Sequence, residues 1–211
     1  MFYCTEPCLT KNFRHQVETL PAEEAEEKKL IIRDFEERAF LDVELQPDLF
    51  DGIRWLREQG LEVALCTRNN MVCVQRFLEA AHFPTTMFDP IITRDHDFCK
   101  PDPRTLDIVF ENWNLAPENI MMVGDDVKDL LTGFGAGCWT CLMMGEQNQD
   151  LANREDCDFV ITHLDSLRRF VQTQSTFEQE SGYKSAAATP KTRVPMRVDD
   201  LKEEFSNVEA K

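Results

Sequence analysis

Between residues 46 and 172 the hydrophobic pattern of this chain switches period again and again. In "PDLFDGIRWLREQG", Leu49, Ile53, Trp55 and Leu56 fall at helical spacing, and Gly60 ends the run. The next stretch, "LEVALC", is short and wholly apolar, the mark of a strand covered on both faces. "MVCVQRFLEAAH" predicts a helix, "FDPIIT" a short strand, and "PRTLDIVFENWN" a helix with Pro103 at its start. "NIMMVG" predicts a second buried strand and "DVKDLLTGFGA" a helix. "CWTCLMM" and "DFVI" then predict strands, and "LDSLRRFVQ" a last helix. Strands alternating with helices at this interval build parallel βαβ units. The expected fold is therefore α/β, a Rossmann-like doubly wound parallel sheet.

The flanks read differently. Leu20 to Val43 has a helical pattern, acidic at Glu23, Glu24, Glu26 and Glu27 and apolar at Ile31, Phe35 and Ala39. It is too short for a domain, so residues 1–45 are expected to form an N-terminal segment and a small helical cap beside a core at 46–172. Past about Ser175 both periodicity and apolar density fade. Residues 173–211 are expected to be a disordered tail with one short amphipathic turn near Leu201 to Phe205, a place where a protein partner could bind.

A chain of 211 residues is long enough for one sizeable core. Its net charge of −16 argues against nucleic acid or an anionic membrane as main partner. No apolar run is long enough for a membrane span, and the first residues lack the apolar stretch of a secretory signal. Eight cysteines would suit a disulfide framework, but Cys66, Cys73, Cys138 and Cys141 lie inside apolar segments, where free thiols pack as small hydrophobes. Cys138 and Cys141 are three apart on a predicted strand, so they face opposite ways and share neither metal nor bridge easily. A reducing, cytoplasmic setting follows as the expectation.

Three polar groups fall just past the carboxyl ends of predicted strands, where open α/β sheets bind ligands. Thr67, with Arg68 and Asn69, follows "LEVALC". Lys100 follows "RDHDFC", and Asp125, Asp126 and Asp129 follow "NIMMVG". Each alone has a plain reading: Thr67 as a helix N-cap, Lys100 as a solvated loop residue, Asp125 or Asp126 as an N-cap. Together they suit a phosphate and a divalent metal. A hydroxyl and neighbouring amides donate to phosphate oxygens, an ammonium offsets growing negative charge, and carboxylates hold Mg²⁺. Gly124 lets the backbone approach closely and turn into the following helix.

"LEVALCTRN", "CKPDP" and "VGDDVKDL" resemble motifs II, III and IV of the haloacid dehalogenase superfamily of phosphohydrolases, over about Gln46 to Phe170. The resemblance implies a Rossmann-like sheet, Mg²⁺, and hydrolysis of a small phosphorylated metabolite through an aspartyl-phosphate. Carried over by position, it implies that Thr67 binds phosphate and Lys100 bridges nucleophile and phosphate. Asp125 would ligate Mg²⁺ and Asp129 would support it, with Asp126 able to replace either acid. A receiver domain also combines acids, Thr and Lys, but with its acids first in the chain; here they come last. A haloacid dehalogenase proper uses no metal and would not need the acids of this loop.

The family's first motif, D-x-D-G-T at the end of an apolar strand, is not found in residues 1–60. Asp34 and Glu36 have the right separation but helical flanks and no following glycine. In "FYCTEPCLT", Cys4 and Glu6 fall where nucleophile and acid would stand, and Leu9 and Thr10 match, but Pro7 replaces the glycine. Either the first strand precedes the residues given or it is degenerate. The expectation is an inactive phosphohydrolase scaffold as given, alternatively a non-catalytic relative that binds phosphate or partners.

Overall fold

Parallel strands joined by helices make up most of the described chain, as the alternating pattern predicts. A computed structural model describes residues 2–3, 17, 19–39, 44–45, 49–181 and 196–197. In chain order the elements are β1 (Phe2–Tyr3), α1 (Ala22–Ala39), β2 (Glu44–Leu45), α2 (Leu49–Glu58), β3 (Leu65–Cys66), α3 (Met71–Ala80) and β4 (Ile91–Ile92). They continue with α4 (Asp107–Trp113), β5 (Met121–Gly124), α5 (Val127–Gly135), β6 (Trp139–Met143), β7 (Phe159–Ile161), α6 (Leu164–Ser181) and β8 (Met196–Arg197). Contacts divide the chain into two units: Met1–Pro47 with Asn69–Thr85, and Asp48–Arg68 with Thr86–Lys211.

In the first unit, β1 pairs antiparallel with β2, Phe2 opposite Leu45 and Tyr3 opposite Glu44. Val17 and Ala25 are buried together, with Leu20 packed against them. Of the apolar residues named on α1, Ile31 is the one whose side chain is described, and it is exposed. Leu30 and Ile31 are 59% and 62% exposed, while the small Ala25 is buried. In α3 the cap is Asn70, whose side chain accepts from the Cys73 amide at 2.7 Å. Its apolar face buries Cys73, Val74, Phe77 and Leu78, and the Phe77 ring stacks on Phe83 at 6.4 Å.

The second unit holds the parallel strands. Leu65 and Cys66 of β3 pair with Ile91 and Ile92 of β4. Backbone bonds from Asp89 to Val63 and from Thr67 to Ile92 carry the pairing past both ends, so "LEVALC" is extended over more than its regular core. The larger sheet has the order β5-β6-β7-β8, all parallel. Among the described residues β3 and β5 are terminal strands of their sheets and do not pair with each other.

Helix α5 covers β5 and β6. It rides close because position 133 is glycine: a Cβ there would lie 2.6 Å from the Met122 Cβ. One buried cluster joins Ile92, Leu106, Val109, Ile120, Met122 and Cys138; a second joins Leu130, Leu142, Ala152, Cys157 and Val160. Cys138 and Cys141 are both fully buried free thiols, as expected of apolar packing. Between β6 and β7, the Thr140 amide and hydroxyl both donate to Asp158 Oδ2, at 2.9 and 3.0 Å, so that oxygen of the buried carboxylate is satisfied by a neighbouring strand.

Three details differ from the sequence pattern. The helix predicted from Pro103 opens as a 3-10 turn over Pro103–Leu106, capped by Asp102, before α4 begins. Helix α6 runs on to Ser181, past the point where apolar periodicity ends. Strand β8 lies inside the stretch read as tail and pairs in parallel with β7. A two-residue strand leaves no apolar run to flag it. The turn expected at Leu201 to Phe205 lies outside the described residues. No described helix is long and apolar enough to cross a membrane.

Candidate active site

The acids after β5 are arranged by the start of α5. Asp126 has an extended backbone (φ −111°, ψ 149°) and is the N-cap: its Oδ1 accepts from the Lys128 amide at 2.8 Å. Three residues on, Asp129 answers it, with Oδ2 accepting from the amides of Asp125 and Asp126 at 3.1 Å each. This is a reciprocal capping box. Aspartate has a shorter arm than the usual glutamate, so its carboxylate must come close to the backbone. Gly124 makes room: a Cβ there would lie 2.1 Å from the Asp129 Cβ and 2.3 Å from its Oδ2.

The other oxygen of Asp129 takes Lys100. Nζ lies 2.5 Å from Oδ1; the Lys100 side chain is largely covered, 14% exposed, and Asp129 is buried, 6% exposed. Lys100 sits in the loop after β4, so the pair ties that loop to the start of α5. Burial is the largest single influence and works against the ammonium, but the Asp129 charge, the Cys66 beside it and the Asp129 hydrogen bond together outweigh it, and Lys100 is held above its ordinary pKa. The plain reading of Lys100 as solvated is excluded by this geometry.

Neither the cap nor Lys100 engages the carboxylate of Asp125. It is half-buried, and burial first and the Asp129 charge second push it above the ordinary carboxylate range, with Lys100 pulling the other way. A desolvated carboxylate beside a second acid is a group that a cation would stabilise. Among the described residues no three His, Cys, Asp or Glu side chains converge on one point. Mg²⁺ needs less than that: it keeps several waters and is held by one or two carboxylates together with substrate phosphate. The residues here fit one face of such an ion, with Asp125 as the protein oxygen.

Thr67 follows β3, its amide donating to the Ile92 carbonyl at 2.9 Å. It is not the N-cap of α3, which is Asn70. Arg68 is close enough for its charge to act on Lys100, where it opposes the Asp129 effect. Thr67, Arg68, Lys100, Asp125, Asp126 and Asp129 thus all belong to the second unit, while Asn69 belongs to the first.

Two residues of this site escape a sequence reading. Cys66, read as packing alone, lies near Lys100, Asp129 and Cys99; burial, more than its neighbours, pushes its thiol up to about 11. Asn148, in the loop after β6, donates through Nδ2 to the Asp125 carbonyl at 2.8 Å. Neither signals itself by type or spacing, because each acts across the fold.

What the geometry brings together past the strand ends is an ammonium paired with one carboxylate and a second, half-buried carboxylate beside it, on an α/β fold. A family model described as haloacid dehalogenase-like hydrolase matches residues 4–137, and the chain belongs to that family. The match takes in the segment with Cys4 and Glu6, which lies outside the described residues.

A hydrolase of Saccharomyces cerevisiae, itself uncharacterized, is 31% identical over 166 residues, covering 76% of each chain. A phosphoglycolate phosphatase of Nitrosospira multiformis is 26% identical over 145 residues, 68% of this chain and 63% of its own length. Thus the chain spans just under two thirds of that phosphatase. Among solved structures, one from Bacteroides fragilis described as a haloacid dehalogenase-like hydrolase has a TM-score of 0.61 at 23% identity, over 75% of this chain and 77% of its own. Phosphate-bound CbbY from Rhodobacter sphaeroides has a TM-score of 0.51 at 18% identity, over 74% and 79%. Both share the fold.

Proposed function

We propose that this chain carries the phosphate- and Mg²⁺-binding side of a phosphomonoester hydrolase site for a small phosphorylated metabolite, and that as given it does not turn over. The observation that carries the reading is the joined set Lys100, Asp129 and Asp125. One buried ion pair fixes both the lysine and the amide that precedes the Asp125 side chain. In this reading Asp125 holds Mg²⁺, which supplies positive charge to the phosphate oxygens when bound. Asp129 holds Lys100 and the loop in place, and Lys100 faces the phosphate. The hydroxyl of Thr67, with Arg68, donates to the remaining oxygens. Asp126 shapes the loop as the helix cap.

The phosphatase named among the relatives supports the substrate class, and the short acidic segment at 1–45 suits a cap. What the residues given do not supply is a carboxylate nucleophile. No D-x-D stands near the start, and the thiol at Cys4 is a different nucleophile from the acid the family uses. The test is an aryl phosphate assay with Mg²⁺ on the chain as given, beside a version bearing a D-x-D strand ahead of Met1. The expected result is no phosphate release from the first and Mg²⁺-dependent release from the second. Turnover by the chain as given would overturn the inactive reading. Silence from both would overturn the hydrolase reading and leave a binding scaffold.

A further inference from the structure

We infer that Asn148 is a positioning residue for Asp125, holding the backbone that aims this carboxylate. The inference rests on the reading of Asp125 as the metal-side acid and adds a residue to it. Asn148 is buried, 9% exposed, and its amide group makes three hydrogen bonds. Nδ2 donates to the Asp125 carbonyl at 2.8 Å and to the Met143 carbonyl at 3.1 Å. Oδ1 accepts from the Gly145 amide at 2.7 Å.

The placement explains why this one side chain matters. Asp125 follows the last residue of β5, and Met143 is the last residue of β6; these strands are hydrogen-bonded neighbours. Past the strand ends the regular ladder stops, and each carbonyl there needs a new donor or water. Asn148 supplies one donor to each strand end and closes its own loop through Gly145. The Asp125 peptide is thereby held from both sides. Its amide donates to Asp129 Oδ2, and its carbonyl accepts from Asn148. With both ends fixed, the side chain between them has little freedom other than its own rotamer.

Only an amide of this length does all three tasks. Aspartate at 148 keeps an acceptor for Gly145 but has no proton for the two carbonyls, and its charge would face them. Serine is too short to span them. Groups that orient a ligating carboxylate from behind typically change metal affinity by about 10- to 100-fold when removed.

The experiment uses the full chain and Mn²⁺ as an electron-paramagnetic probe, with Asn148→Asp and Asn148→Ser beside Asp125→Asn. Amide hydrogen exchange of Asp125 and Asp126 and the melting temperature are followed without metal. The expected result is that wild type binds Mn²⁺, Asp125→Asn does not, and both Asn148 variants bind at least about 10-fold more weakly. The Asp125 and Asp126 amides should exchange faster in both variants, with other core amides unchanged. Equal Mn²⁺ binding together with unchanged exchange at Asp125 and Asp126 would overturn the inference. So would a fall in melting temperature that speeds exchange throughout the core without singling out these two amides. If wild type itself binds no Mn²⁺, the metal-side reading fails. Exchange then decides the positioning role alone: selective acceleration upholds it, unchanged rates overturn it.

Discussion

Lys100 and Asp129 make up the single most consequential pair in the site. Asp129 is buried and Lys100 largely covered, and each would be an uncompensated charge without the other. Lys100→Met should therefore destabilise the chain by about 3–5 kcal/mol, the cost of leaving a buried carboxylate unpaired. Adding Asp129→Asn in the same chain should recover part of that loss, because no charge is then left buried. Urea unfolding of the two variants measures both. If Lys100→Met unfolds at the same urea concentration as wild type, the pair contributes nothing and Lys100 is in effect solvated. Cys66 shows the other side of the same environment. Its thiol stays protonated at neutral pH because burial disfavours the thiolate, so it packs beside the lysine without competing for it.

At the scale of elements, the start of α5 converts a sequence motif into a site. The box between Asp126 and Asp129 ends the strand, begins the helix and places Asp125 in one turn. Its weak point is Gly124, since any side chain there meets the Asp129 carboxylate. Gly124→Ala should push Asp129 away from both the two amides and Lys100. The expected result is a loss of stability comparable to losing a cap and a buried pair together, about 3.5 kcal/mol or more, read by thermal or urea melting. An alanine variant as stable as wild type would mean that the loop opens without loss and that Asp129 is not held as described.

How much of this is legible in the sequence follows from range. The order strand, acid loop, helix reads directly, because apolar runs and a capping pattern are local signals. Lys100 is legible as a candidate from its place after a strand, but its partner is not, since the pair closes across a loop and a helix. Asn148 carries no local signal, as its work is done on backbone atoms of two other segments. Ile31 misleads in the opposite way. It is an apolar residue at helical spacing, yet it is exposed, because which face of a helix is covered depends on what lies against it. Strand β8 is too short to carry a pattern of its own.

For the molecule as a whole, the family and the fold are established, and the open matter is chemistry. Every member of the candidate set other than Asn69 lies in one unit. In the proposed reading the site offers a lysine, a hydroxyl and a carboxylate to a phosphate and a cation. It should bind Mg²⁺ and phosphate together better than either alone, since each neutralises charge that the other brings. The most direct test is a calorimetric titration of the full chain with Mg²⁺, with and without inorganic phosphate, against Asp125→Asn. The account predicts heat of binding for wild type, tighter in the presence of phosphate, and none for Asp125→Asn. Binding that is indifferent to Asp125, or no binding under either condition, would contradict it.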